Sequence, residues 1–399
     1  MSLKIVIIGG GVNGISIARS LALLSDKFSI KVVEKEHALG AHSSTRNSGV
    51  IHAGFYYDTN SIRGKFCSEA NQMLRDYCIE KNIPHNRCGK IIVSKNVEQE
   101  AALISLYERG LANNVDLHMR AAHQLKQYEP LAKTASNFLW SPNTWSASPT
   151  DYLKTLVADC KDKGVEFITN AQIIRCDRKK ITTANDDLIY YDYLVNAAGG
   201  LSLKVARQFG LGNHYSILPF KGLYLKSKIK NTRFSRHIYP VPDPRQTFLG
   251  IHTTLTYDGY LKLGPTAIPV LGPENYSLFS GLSLENVLEI LPFHASLFAS
   301  NSFGFRDLAL QEFKYLFKNE IIKTANELVT ESLNANDFDW YSPGIRAQLL
   351  DTNCRKLVSD FIFEKTKNSI HLLNTISPSW TCSLKTGDFI ANEILRQIA

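Results

Sequence analysis

A chain of 399 residues exceeds the size of one ordinary hydrophobic core, so two domains are expected. With 44% hydrophobic and 21% charged residues it has the composition of a globular protein, and no apolar run approaches the 18 residues of a membrane-spanning helix. The net charge of +8 comes from scattered lysines and arginines without a block of like charge, which speaks for a solvated basic surface and against a nucleic-acid partner. Seven cysteines, at 67, 78, 88, 160, 176, 354 and 382, form no C-x-x-C pair. Their odd number and spacing point to a reducing compartment and predict neither a disulfide framework nor a metal site.

The chain opens on an apolar run, Leu3 to Ile8, so no secretory or transit leader is expected and the expected location is cytoplasmic. The run leads into Gly9-Gly10-Gly11-Val12-Asn13-Gly14, which satisfies G-x-G-x-x-G. A helical pattern follows (Ile15, Ala18, Leu21, Ala22), then a second apolar run that ends at Glu34. Strand, glycine turn, helix, strand and acid together form a dinucleotide-binding unit. Gly9 permits the tight turn, Gly11 lets the backbone approach a pyrophosphate, and Gly14 lets the helix lie close on the sheet. The helix N-terminus offers N–H groups to phosphate, and Glu34 stands where a carboxylate accepts from ribose hydroxyls. The bland alternative is a glycine-rich turn in a generic α/β domain. The complete context of strand, helix and acid argues against it.

Beyond Glu34 the small, polar stretch 41–54 predicts an ordered loop. A helix is expected over 62–81, a strand over 88–93, a helix over 97–113, and strand and turn over 138–149. Then come a helix over 152–163 and strands over 164–169 and 193–200. The stretch 219–269 alternates and turns often, as an antiparallel sheet does. Residues 284–333 are mostly helical in pattern, 340–346 begin another glycine turn, 370–374 read as a buried strand and 387–398 as a helix. The expected fold class is α/β with an α+β second domain. A discontinuous Rossmann-like nucleotide-binding domain comprises 1–87, 150–215 and 340–399, and a β-rich substrate domain comprises 88–149 and 216–339.

Several blocks along this order resemble the FAD-dependent oxidoreductases of the D-amino-acid-oxidase superfamily, and within it the L-2-hydroxyglutarate dehydrogenases and oxidases. The fingerprint with Glu34 is general to the superfamily. More specific are Ser44-Thr45-Arg46-Asn47-Ser48-Gly49-Val50-Ile51-His52-Ala53-Gly54-Phe55-Tyr56-Tyr57, Cys88-Gly89-Lys90-Ile91-Ile92-Val93, Pro219-Phe220-Lys221-Gly222-x-Tyr224 and Ile238-Tyr239-Pro240-Val241-Pro242. Gly250-Ile251-His252, Lys262-Leu263-Gly264-Pro265, Gly344-Ile345-Arg346 and Ser377-Pro378-x-x-Thr381-x-Ser383-Leu384 complete the set. The resemblance spans essentially the whole chain. It departs from the family at 144–151, where a shorter Thr-Gly-Ile-Val-Asp-type turn is usual. It departs again at Ser379-Trp380, where small residues, Pro or Gly are usual.

The resemblance implies non-covalent FAD and hydride transfer from a small anionic 2-hydroxy acid to flavin N5. An amine or amino-acid oxidase on the same scaffold is the alternative. It places Gly9, Gly11, Gly14 and Glu34 at the ADP half of the cofactor, Arg46, Asn47 and Ser48 by the pyrophosphate or ring, and Ala198 and Gly199 near the phosphates. Gly344, Thr381 and Ser383 are expected by the isoalloxazine. His52 is the first candidate base and His252 the second, each weighed against a structural histidine, since an imidazole accepts protons near neutrality. Arg346 is the candidate carboxylate clamp. Tyr57, Tyr224 and Tyr239 are candidate hydroxyl donors and Lys221 a candidate substrate contact, with Lys262 also plausible. The electron acceptor is expected to be quinone or oxygen, and a quinone would call for peripheral contact at the inner face of the membrane.

Overall fold

The computed structural model describes residues 2–243, 248–277 and 280–398; residues 244–247 of the alternating stretch lie outside these. A six-stranded sheet runs in the order Ile362–Thr366, Ser369–Asn374, Tyr193–Asn196, Leu3–Ile8, Phe28–Val33, Glu166–Ile168. All neighbours are parallel except the edge strand Ile362–Thr366. The central strands are largely apolar and buried, as expected of a parallel sheet covered on its faces. The first helix, Val12–Leu24, packs against the last, Ser383–Ile398, so the two ends of the chain meet over the sheet.

The second large sheet is mixed and ten-stranded. Its spine is Tyr215–Ser227 paired along its length with Phe338–Asp351, followed by Leu261–Gly264, His252–Leu255, His237–Pro240, Lys90–Val93, Phe138–Ser141 and His118–Arg120. Three helices, Leu284–Ser300, Phe305–Lys314 and Lys318–Asn326, fall in the stretch read as mostly helical. Among the described residues no helix is long and apolar enough to cross a membrane.

Some elements differ from the sequence reading. Phe338–Asp351 is one strand rather than a glycine turn, and it pairs in the ten-stranded sheet although 340–399 was assigned to the nucleotide-binding half. Its Pro343-Gly344 imitate a turn signal. The register shifts opposite them, between Gly222 and Tyr224, and a Cβ on Gly344 would lie 2.3 Å from the Arg46 carbonyl oxygen. The glycine serves close packing, not a reversal. A three-stranded meander, Ile173–Cys176, Lys180–Thr183 and Leu188–Tyr190, was not foreseen. The unusual 144–151 segment forms the strand Trp145–Ala147 between Val50–Ile51 and His85–Asn86. Ser148 then caps the helix Pro149–Asp162, its Oγ accepting from the Asp151 N–H.

Candidate active site

A cavity of about 1050 Å³ runs from the glycine turn to the ten-stranded sheet, at the upper end of the ~300–1,000 Å³ usual for small-molecule sites. Gly9, Gly11 and Glu34 line one end, and His52, Tyr57, Tyr224, Tyr239, His252 and Arg346 line the other. Arg46, Asn47, Ser48, Ala198, Gly199, Gly344 and Thr381 lie on the wall between.

At the first end, Gly9 takes φ +106°, and a Cβ on Gly14 would lie 2.1 Å from the Gly9 carbonyl oxygen. Gly14 therefore does not line the cavity; it lets the helix close onto the turn. The N-terminus of Val12–Leu24 has Gly11 at the cap; the Val12 N–H donates to Ser44 Oγ at 2.9 Å, and the rest of this first turn stays suited to an anion. The Glu34 carboxylate is buried, accepting from the Gly10 N–H at 2.7 Å and the Glu36 N–H at 2.9 Å. Both oxygens keep lone pairs for further donors. The Asn13 Oδ1 nearby is buried without a partner. These features fit a dinucleotide cofactor: Glu34 would hold its ribose, the backbone N–H groups of Gly11 and Asn13 its phosphates, and Asn13 Oδ1 would accept from one of its hydroxyls.

The intervening loop is fixed by its own polar groups. Asn47 Nδ2 donates to the carbonyls of Ser43 and Ser44, and the Gly49 N–H donates to Asn47 Oδ1. Arg46 donates to the Ala41 carbonyl and Ser342 Oγ and lies over the Tyr276 ring at 4.4 Å. Lys262 is buried, donating to the Asn47 carbonyl at 3.1 Å, and burial pushes it down to about 7. Sequence reasoning missed the closure beside this loop. The Lys35 ammonium bridges Glu36 and Glu274, and His42 contacts Glu36, Glu274 and the Tyr276 hydroxyl. Lys35 thus supplies the cation between these carboxylates. These groups lie 241 residues apart in sequence at their widest (35 to 276), so no local pattern could reveal them.

At the second end, the backbone holds His52 on both sides. Its N–H donates to Thr381 Oγ1 at 3.1 Å, and its carbonyl accepts from Asn71 Nδ2 at 3.1 Å. The ring Nδ1 is buried without a partner. Burial, then the charge of Lys90, the neighbouring imidazoles of His252 and His237, and Arg346, hold His52 well below 6.5. In His252, Nδ1 lies 2.9 Å from the Gly250 carbonyl, so Nδ1 carries the hydrogen and Nε2 is left as an acceptor. Burial pushes His252 down to about 3. Its ring stacks on Tyr239 at 3.7 Å. Arg346 stacks on Phe248 at 4.8 Å, and no carboxylate pairs with it among the described residues. Burial lowers its pKa, which an entering anion would reverse. Burial also pushes Tyr224 up to about 12 and Tyr57 and Tyr239 higher, so all three remain protonated donors at neutral pH.

Besides Gly14 and Lys262, two further predicted residues do not line the cavity. Lys221 lies between Phe220 and Gly222, which do, so strand alternation turns it away, and its Nζ reaches the Ser277 carbonyl at 3.4 Å. Ser383 is buried, accepting or donating at Tyr152 OH at 2.7 Å and donating to the Trp380 carbonyl, where it ties down the start of the last helix. Trp380 does line the cavity, with its indole N–H buried and unpartnered, and it packs edge-on against Tyr152.

Comparison with known proteins agrees with this geometry. The chain is 32% identical to the L-2-hydroxyglutarate dehydrogenase, mitochondrial, of Bos taurus, covering 98% of this chain and 89% of that one. It is 29% identical to the L-2-hydroxyglutarate dehydrogenase of Escherichia coli strain K12, over 99% of this chain and 93% of the relative. In fold it is similar to the L-alpha-glycerophosphate oxidase of Mycoplasma pneumoniae, solved with FAD bound. That structure has TM-score 0.77 and 19% identity, covering 100% of this chain and 95% of the other. The sequence matches one family from residue 4 to residue 393, and the chain belongs to it: the FAD dependent oxidoreductases.

Proposed function

We propose that the protein oxidises L-2-hydroxyglutarate to 2-oxoglutarate. The observation that carries this reading is Arg346, a guanidinium with no carboxylate partner among the described residues, in the same cavity as two unprotonated imidazoles. Its relatives of about 30% identity bear that activity in their names. Bound FAD would supply the hydride acceptor at N5. Arg346 would grip a substrate carboxylate in a bidentate fork. Tyr57, Tyr224 and Tyr239 would donate to substrate oxygens. His52 would take the hydroxyl proton as C2 gives up its hydride. Its support is a backbone held on both sides and a place in the same cavity as Arg346. A second reading gives that role to His252, favoured by the Gly250 carbonyl, which leaves Nε2 free to accept. The hydroxy acid is preferred over an amine because the amine oxidases among similar structures share only the fold; the glycine oxidase of Geobacillus kaustophilus is 14% identical.

Anaerobic mixing of the FAD-loaded protein with L-2-hydroxyglutarate, glycine, sarcosine and D-amino acids tests the assignment. Bleaching by the first alone is expected, and bleaching by the amines alone would overturn it. The same reading extends to a quinone acceptor at a membrane surface. Leu284 and Leu288 are 75% and 67% exposed on the helix Leu284–Ser300, whose first residues border the cavity. Co-sedimentation with anionic vesicles that weakens at high salt is the expected result; no sedimentation at either salt would reject it.

A further inference from the structure

Lys90 begins the strand Lys90–Val93, all four of whose residues are buried. Its side chain is fully enclosed, and Nζ has no hydrogen-bond partner among the described residues. It does not line the cavity but lies behind its wall. Nζ sits 4.1 Å from the centroid of the Tyr239 ring, with Phe55 and Tyr56 at 5.3 and 5.2 Å. His252 is stacked on that same Tyr239 ring at 3.7 Å. Two groups cannot share one ring face at those separations, so they occupy opposite faces. The order is ammonium, phenol, imidazole, cavity.

A buried ammonium needs compensation for lost water. The aromatic faces supply part of it. Among the described residues no carboxylate supplies the rest. The titratable groups facing Lys90 are Cys88 on its own segment, Cys67 on the helix Ile62–Glu80, His237 and Tyr239 on the neighbouring strand, Tyr56 after the loop, His252 beyond Tyr239 and His52 in the loop. His237 is committed elsewhere: its Nδ1 accepts from the Leu255 N–H at 3.0 Å and its Nε2 faces Cys88 Sγ.

We propose that Lys90 is a positioning residue for proton transfer, an enclosed ammonium behind Tyr239 that adds to burial in keeping the His52 and His252 imidazoles in their neutral, proton-accepting form. The proposal rests on the reading of the cavity as a hydroxy-acid site. Burial pushes Lys90 down to about 7, whereas His252 and His237 lie at about 3 and His52 well below 6.5. The ammonium is therefore present throughout the range in which the imidazoles would charge. Two positive charges in an enclosed space repel, so losing Lys90 makes the imidazolium easier to form and moves the histidine titrations to higher pH.

Nitrogen NMR of the FAD-loaded, ¹⁵N-histidine-labelled protein across pH tests this. Wild type and Lys90→Arg should keep His52 and His252 neutral well below pH 6.5. In Lys90→Met both titrations should move up, and the acid limb of the flavin-reduction rate should move with them. Unmoved titrations in a folded, FAD-loaded Lys90→Met protein would overturn the proposal. If that variant does not fold, wild type still decides against it should either ring titrate near 6.5. Failure of L-2-hydroxyglutarate to reduce wild type would instead sink the functional reading, whatever the titrations show.

Discussion

His252 rests on Tyr239 with ring centroids 3.7 Å apart and planes inclined by 30°. The two residues sit on neighbouring antiparallel strands, His237–Pro240 and His252–Leu255. The Tyr239 hydroxyl reaches Thr254 Oγ1 at 3.3 Å, and the His252 ring is pinned by the Gly250 carbonyl. Stacking and the pinned Nδ1 together leave the imidazole one free nitrogen, Nε2.

Glu34→Ala is expected to weaken FAD retention while sparing chemistry. The carboxylate bonds the Gly10 and Glu36 N–H groups and would bond the ribose as well. Each charge-assisted bond to the cofactor contributes on the order of 1.5–3 kcal/mol. FAD titration followed by fluorescence should show weaker binding, with turnover restored at saturating FAD. A saturated, folded variant that stays inactive would reject the ribose role.

Gly14→Ala should lower both the melting temperature and FAD affinity. The added methyl would stand 2.1 Å from the Gly9 carbonyl oxygen, a backbone atom that cannot rotate away. Such overpacking costs about 1–3 kcal/mol. Unchanged thermal unfolding and unchanged FAD binding would show that the helix does not need to lie this close.

Glu312 gives a pH dependence of known sign. Burial pushes its carboxyl from 4.5 up to about 7, against the opposing hydrogen bond from the Ala267 N–H. The native state therefore holds a proton that the unfolded chain releases. Stability on this account is full below pH 4.5, falls as pH rises to about 7, and is level above it. Glu312→Gln keeps the acceptor and removes the charge, so it should stabilise the protein above pH 7 by at most about 3 kcal/mol. Equal melting temperatures of variant and wild type at pH 8 would contradict the buried proton.

The nucleotide half was legible because its signals are local. Gly9 to Gly14 and Glu34 lie within one strand-helix-strand unit, and the structure brings Gly9, Gly11 and Glu34 to one end of the cavity. The other end of the cavity was legible only residue by residue. His52, His252 and Arg346 were each singled out, yet they reach one cavity from the 44–54 loop and from two distant strands, His252–Leu255 and Phe338–Asp351. Lys221 shows the limit of motif reading: the residues either side of it face the cavity, and alternation turns it away. Lys90 shows the opposite limit. In Lys-Ile-Ile-Val a single lysine reads as solvated, but both faces of that strand are covered. A lysine inside a wholly apolar strand was the available signal.

The proton and the carboxylate should separate in kinetics. If His52 takes the proton, His52→Ala lowers the flavin reduction rate at saturating L-2-hydroxyglutarate, because proton removal belongs to the transition state; a positioned base contributes roughly 10²–10⁴-fold. Arg346→Ala should chiefly raise the substrate concentration required, because the carboxylate is held in ground and transition states alike. Arg346→Lys should recover little, since an ammonium cannot reproduce the fork. His252→Ala is the control. Stacked on Tyr239 with Nε2 open, it is the only other imidazole lining this end of the cavity among the described residues. Stopped-flow reduction across pH distinguishes the two. A rate defect confined to His252→Ala, with near-normal reduction in folded, FAD-loaded His52→Ala, would transfer the base to His252. His52 would then be left as a residue whose backbone ties the 44–54 loop to Thr381 and Asn71.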